Sequence, residues 1–281
     1  MNFTNLTIAE IQSSTLITEH AKNWAISHIE YLNKNMRIFG TSTKVEKGSD
    51  KFDTYILYLA PHDLISVLTL CSGAESAGCA PECLYKTGQL GMKTGRNAMY
   101  KRTVLMLLRP EWFQNTLLSE IDKAENKAKK TGIPALYRLN GTSDLDWSHI
   151  FQARKDSSFY DYTKILSRLR KNNSHNYDLT FSASMYSKQS RTAFKKAIER
   201  QHRIAVAFNT KESKLDDFTI PEGFKSFDDT DLRHLDDQVI GVLKRKGSNI
   251  AERIMENRKS ASFFVTESNL DEFNNIIARS A

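Results

Sequence analysis

Cysteine is almost missing from this chain. Of 281 residues only Cys71, Cys79 and Cys83 carry thiols, and all three fall inside LCSGAESAGCAPECLYKTG, between Leu70 and Gly88. Three is an odd number, so a disulfide would strand one thiol. Long apolar runs are missing too: none approaches the roughly eighteen residues of a membrane span, which sets a membrane role aside. The opening MNFTNLTIAEIQSS lacks a basic segment followed by an apolar one, so it does not read as a secretory signal. These absences predict a cytoplasmic protein. There thiols stay reduced, and clustered cysteines are ligands or catalysts more often than disulfides.

No internal repeat and no low-complexity tract appears. Hydrophobic residues at 40% and charged residues at 26% describe a globular chain with enough apolar surface for a sizeable core. A formal charge of +7 gives weak attraction to polyanions. The basic stretches Lys93–Arg102, Arg168–Lys171 and Lys244–Lys246 read as solvated faces. No nucleic-acid motif and no aromatic–basic interleaving accompanies them, so nucleic acid is not the expected partner.

What is present is an alternation of strands and helices. Residues 1–50 read as an N-terminal extension, with a helical stripe in Ala21–Leu32 and a polar, turn-rich linker over Gly40–Asp50. From residue 51 to 281 the pattern is that of one α/β domain. Strands are expected at Tyr55–Leu59, Ala135–Leu139, Ser158–Tyr162, Asp178–Phe181, Ile204–Phe208, Phe224–Phe227, Val239–Leu243 and Ser262–Thr266. Several are continuous apolar runs, which suits parallel strands covered on both faces. The clearest helix is Glu111–Thr131, with Phe113, Leu117, Ile121, Ala124 and Ala128 on one face, Pro110 before it and Gly132 after it. Lys164–Lys171, Lys188–Arg200 and Ser248–Asn257 are shorter candidates. Seven or eight strands fit an irregular or incomplete (β/α) TIM-barrel-like fold with an N-terminal helical extension.

In such folds the loops after the strands carry the chemistry. Those loops contribute Arg138, Asn140 and Asp144, then Asp161, Tyr162 and Lys164, then Ser182, and later Asp229, Asp231, Arg233 and Lys246. Arg138 and Asp161 sit inside apolar strands, where an unpaired charge is costly. They need partners, in a shared polar site at the strand ends or in a structural ion pair with each other.

The cysteine spacing is C-x7-C-x3-C. Structural zinc normally takes four N or S ligands, often as paired C-x2-C knuckles. Here a fourth ligand would have to be His62, His149 or a carboxylate. Three thiolates suit an iron–sulfur cluster better, a [4Fe–4S] cube with one open iron or a [3Fe–4S] cluster. The small residues Ser72, Gly73, Ala74, Ser76, Ala77, Gly78 and Ala80 let backbone amides approach the sulfurs. A catalytic cysteine would want a histidine base, and none is singled out. Inert core cysteines would want apolar bulk beside them, which the loop lacks.

The Leu59-Ala60-Pro61 strand end, the cysteine loop, RLNGTSD (138–144), FYDYTK (159–164), LTFS (179–182) and the late DDTDLRHLD and GVLKRKG segments resemble a family of bacteriophage-encoded proteins without an assigned reaction. The resemblance covers Tyr55 to Gly247. It implies a protein acting in a bacterial host cytoplasm, with Cys71, Cys79 and Cys83 as the shared element. A looser architectural similarity is to radical-SAM enzymes, whose three cysteines follow the first strand of a partial barrel. It implies S-adenosylmethionine on the open iron. Two departures stand against that cofactor: their C-x3-C-x2-C spacing is absent, and Asn140-Gly141-Thr142 replaces their glycine–glycine–glutamate stretch.

The leading expectation is thus an iron–sulfur protein with its cluster at the barrel mouth and a small anionic ligand above it. The alternative is a host-takeover or nucleic-acid-binding protein with a structural zinc site and a host protein partner. Zinc-assisted hydrolysis ranks last, since catalytic zinc sites usually mix histidine and carboxylate with cysteine.

Overall fold

In the computed structural model, residues 4–40, 51–172, 174–209, 223–229, 231–237, 240–244 and 262–278 are described. Their strands are β1 Phe39–Gly40, β2 Asp53–Leu57, β3 Ala135–Arg138, β4 Ser158–Thr163, β5 Tyr177–Ser182, β6 Ile204–Phe208, β7 Phe224–Ser226 and β8 Ile240–Lys244. They form one sheet in the order β1-β2-β3-β4-β5-β6-β8-β7. Only β1 runs antiparallel, against β2; every other pairing is parallel.

From β2 to β6 the spatial order follows the chain, as in a barrel. Closure is not reached. Among the described residues β1 and β7 are the two edges, and they do not pair. The ends of the sheet explain this. An antiparallel β1 cannot continue a parallel winding, and β7 lies outside β8, reversing the chain order. The expected TIM-like barrel is therefore an open, mostly parallel sheet. The strand expected at Ser262–Thr266 is reduced to a bridge between Val265 and Phe208.

Parallel pairing puts partnered residues on the same face. One face carries Tyr55, Tyr137 and Phe159, which pack in a core with Phe113, Leu117 and Ile121 of the helix Pro110–Thr131. That helix starts at a proline and ends at Gly132 with φ 73°, a left-handed value that glycine adopts without strain. Farther along, the same face carries Phe181, Val206 and Val242, covered by Phe194 and Ala197 of the helix Lys188–Glu199 and by Phe273 of Leu270–Ala278. The described residues 4–40 contribute to the core. Leu6, Ile11, Ala21, Ala25 and Leu32 share a cluster with Leu57, Val104 and Leu117. Of the linker expected at Gly40–Asp50 only Gly40 is described, as part of β1. Helix Ser248–Asn257 also lies outside the described residues.

The other face is polar and is filled from within the chain. Leu232 packs on Leu136 and Tyr160. The Phe227 ring lies so close over Gly241 that a β-carbon there would sit 2.1 Å from it. The Arg233 guanidinium stacks on Phe227 at 3.9 Å. Phe227, Leu232 and Arg233 thus take up concave space that a closed barrel would fill with strand side chains.

Candidate functional site

The cysteine loop leaves β2 through buried Leu59 and Ala60 and is gathered at its neck by the Leu70 amide donating to the His62 carbonyl at 2.9 Å. Short turns shape it. The Ala74 amide donates to Cys71 O at 2.9 Å, Cys79 N to Ala74 O at 3.1 Å and Lys86 N to Cys83 O at 3.1 Å. Gly78 takes φ 64° under the Tyr186 ring, with 2.3 Å left for a β-carbon, so no other residue fits there.

Three ties press this loop onto the strand ends. The Asp144 amide after β3 donates to Leu70 O at 2.9 Å. Beyond β5, the Ser184 hydroxyl donates to Ala77 O at 2.6 Å. Ser187 and Ser190, at the start of the helix Lys188–Glu199, both donate to Ser76 O, at 2.8 and 2.7 Å. Gly73 lies against Lys164 of β4's end, where a β-carbon would come within 2.9 Å of the lysine Cβ.

Cys71, Cys79 and Cys83 are all half-buried and none forms a disulfide. Burial pushes the Cys71 thiol up to about 12, opposed by the Lys164 ammonium and reinforced by Cys79, Asp144 and Cys83. Burial also raises Cys83, against the Tyr85 backbone amide. For Lys164, burial works against its charge, but Cys79, Cys71 and Asp144 outweigh that and raise its pKa. The three thiols and the Lys164 ammonium group thus influence one another electrostatically. Among the described residues, no three His, Cys, Asp or Glu side chains are drawn close enough to hold a metal ion.

The other expected residues divide into two groups. One is a buried ionic knot at the strand ends: Arg138, Tyr160 and Tyr162 belong to the concave face, while Asp161, in register with Leu179, lies on the helix-covered face. Arg138 donates to Asp231 at 2.8 Å, lies 3.6 Å from Asp161 and stacks over the Tyr162 ring at 4.8 Å. The hydroxyls of Tyr162 and Tyr160 also reach Asp231, at 3.0 and 3.4 Å. Asp161 accepts from the Asn140 amide at 3.0 Å; burial pushes its carboxyl up to about 7, against the pull of Arg138. Arg233, 2% exposed, pairs with Asp236 at 3.1 Å. These charges are neutralised by each other. Asn140 belongs with them as a turn organiser: its side-chain oxygen accepts from Ser143, Leu145 N and Trp147. Asp144 is held by Arg168, by Thr163 at 2.9 Å and by the Lys164 amide at 3.2 Å.

The second group is small. Lys164 donates to Ser182 at 3.1 Å and lies over the Phe263 ring at 4.9 Å. Both residues line a cleft of about 390 Å³ beside the cysteine loop. Asp229 is exposed. Lys246 lies outside the described residues.

The family called Gene product 88 matches residues 27–265. The chain belongs to that family. Searches of curated proteins and of solved structures each found no match. For this Gene product 88 protein the match agrees with the resemblance to phage proteins, because the family is one of phage-type gene products. No helix among the described residues is long and apolar enough to cross a membrane.

The sequence reading of this Gene product 88 chain missed Tyr160, which meets Asp231, and Gln189 and Ser190, which line the cleft. Gln189 and Ser190 lie in the first turn of the helix Lys188–Glu199, and only the fold brings them to the cleft beside Ser182.

Proposed function

We propose that this protein is an iron–sulfur protein whose cluster is bound by Cys71, Cys79 and Cys83 above the ends of β3, β4 and β5. The observation that carries this reading is the placement of the chain's only thiols: half-buried on one turn-rich loop, in one another's field and against Lys164. The donor set fits the group, because thiolates are the ligands such clusters take. Backbone amides of a small-residue loop and a nearby ammonium group both stabilise an anionic cluster. Assembly would draw the thiols closer than they now stand. Once bound by three thiolates, a cluster supplies redox or radical chemistry, with one iron open to a small ligand in the cubane form.

The protein's own part is to hold the site. Asp144, fixed by Arg168 and Thr163, anchors the loop at Leu70, while Ser184, Ser187 and Ser190 anchor it at Ala77 and Ser76. Membership in a phage-type family supports a workplace in the cytoplasm of a bacterial host.

The test is an absorption spectrum of protein purified without oxygen, with iron, sulfide and zinc assayed on the same sample. The expected result is a brown protein with a broad band near ~400 nm and matching iron and sulfide, lost on replacing the three cysteines by serine. A colourless protein holding one zinc, or a brown one unchanged by the triple replacement, would overturn it.

A further inference from the structure

The ionic knot at the strand ends, where the sequence suggested an anion site, has no charge to spare. Lys164 does. Among the described residues no carboxylate lies within ion-pair distance of it, and its one hydrogen bond goes to the Ser182 hydroxyl at 3.1 Å. Two ammonium protons remain, and Ser182, having accepted, keeps its own proton to donate. A half-buried ammonium group with no acid in direct contact and two protons unspent leaves a place for an anion to complete it.

The space beside Lys164 has the matching character. The cleft of about 390 Å³ is lined by Ser72, Ser76, Lys164, Ser182, Gln189 and Ser190 among others, and among the described residues no acidic one lines it. Its walls are braced, since Ser187 and Ser190 clamp the Ser76 carbonyl. The helix Lys188–Glu199 begins at its rim, where Ser187 caps the Ser190 amide at 3.1 Å and the Gln189 side chain lines the cleft. Among the described residues no arginine lines the cleft, so none offers a guanidinium fork to a planar carboxylate. Single-point donors are instead Ser72 of the cysteine loop, Lys164 after β4, Ser182 at the end of β5 and Gln189 at the helix start. Donors converging from several sides suit a tetrahedral anion. A second hollow of about 560 Å³ shares Leu166, Gln189 and Ala193 with the first and adds Lys188 and Lys196, leaving room for the rest of a small molecule.

We propose that this cleft binds the phosphate group of a small phosphate monoester, with Lys164 and Ser182 as its principal contacts. The site stands on Lys164 and its cleft and does not depend on iron in the cysteine loop. If the cluster is present, Gly73 sets the ligand against the loop that carries it.

The test is calorimetric titration of the full chain with inorganic phosphate, on protein as purified without oxygen and on protein stripped of metal. Acetate serves as the planar comparison. Phosphate should bind in the millimolar range in both preparations and acetate much more weakly. Lys164→Met should weaken phosphate by at least about tenfold and Ser182→Ala by a few fold. Lys129→Met, on the exposed surface of the helix Pro110–Thr131, should change nothing. Binding equally weakened by Lys129→Met, acetate as tight as phosphate, or no binding at ~50 mM phosphate would overturn the proposal. If Lys164→Met does not fold, an unaffected Ser182→Ala would overturn it alone. A colourless protein that, purified without oxygen, holds one zinc and still binds phosphate would sink the cluster reading and leave this one standing.

Discussion

Lys101 and Lys164 are both drawn out of water without an acid beside them, and they show two different uses of a buried cation. Lys101 is 1% exposed. Its ammonium group donates to the carbonyls of Tyr31 and Lys34, the latter at 2.6 Å, and lies over the Tyr31 ring at 4.5 Å. Those carbonyls close the end of the short helix Ile29–Leu32, so Lys101 holds the N-terminal helices against the core. Its surroundings are finished. Lys164 has one hydroxyl, one ring, three thiols and a cleft. The difference teaches that burial alone does not mark a functional charge; an incomplete set of partners does.

A third cation sets the upper end of the scale. Arg138 is mostly buried and ion-paired, chiefly with Asp231 at 2.8 Å, while its Nε lacks a hydrogen-bond acceptor and lies 3.6 Å from Asp161. Replacing Asp231 by alanine would leave that guanidinium with only Asp161, 3.6 Å away. Breaking a buried pair from one side typically costs about 3–5 kcal/mol. Urea unfolding of Asp231→Ala should show a loss of that size, the largest here. A loss under about 1 kcal/mol would mean that the concave face relaxes easily.

Lys101→Met removes two charge-assisted bonds to carbonyls and should cost about 2 kcal/mol by the same measurement. Phosphate binding should not change, which is how a finished cation differs from an unfinished one. The pH profile gives a second reading of the same group. Burial, helped by Lys34, lowers the Lys101 pKa from 10.5 to about 8. Between those values the unfolded chain holds the proton that the folded chain has released. Stability should therefore rise with pH from about 8 upward, by on the order of 1 kcal/mol by pH ~9.5 relative to Lys101→Met. A profile that runs parallel to the variant's would show that the amino group keeps its proton when folded.

How far the sequence foretold these sites depended on the range of the contacts. Strands such as Ile204–Phe208 were legible to the residue because a continuous apolar run is a local signal. Closure of the barrel was not, because it turns on which strands meet at the edges: β1 antiparallel and β7 outside β8. The helix Lys93–Leu108 was hidden by its own buried polar residues. Lys101 and Thr103 interrupt the apolar stripe that would have announced it, and their partners lie elsewhere, Tyr31 for one and Ala60 for the other. Arg138 and Asp161 were recognisable as charges in need of partners, yet the stronger partner, Asp231, lies 93 residues from Arg138 along the chain. The cysteine loop was plain. Its serines read as small spacers, and only the fold shows Ser72 and Ser76 facing a cleft with Ser182.

The smallest expected effect on stability is the most informative. Lys164→Met removes a single bond to Ser182 and the contact with the Phe263 ring. It also removes the unfavourable burial of a charge that no carboxylate offsets within ion-pair distance. Those terms oppose each other, so the urea midpoint should move by less than about 1 kcal/mol in either direction. Anion binding should nevertheless fall sharply. A residue that matters little to folding and much to binding is one whose surroundings were left incomplete for a ligand. The opposite result, a loss of about 2 kcal/mol or more with binding intact, would put Lys164 in the same class as Lys101. The cleft beside the cysteines would then be a by-product of how the loop packs.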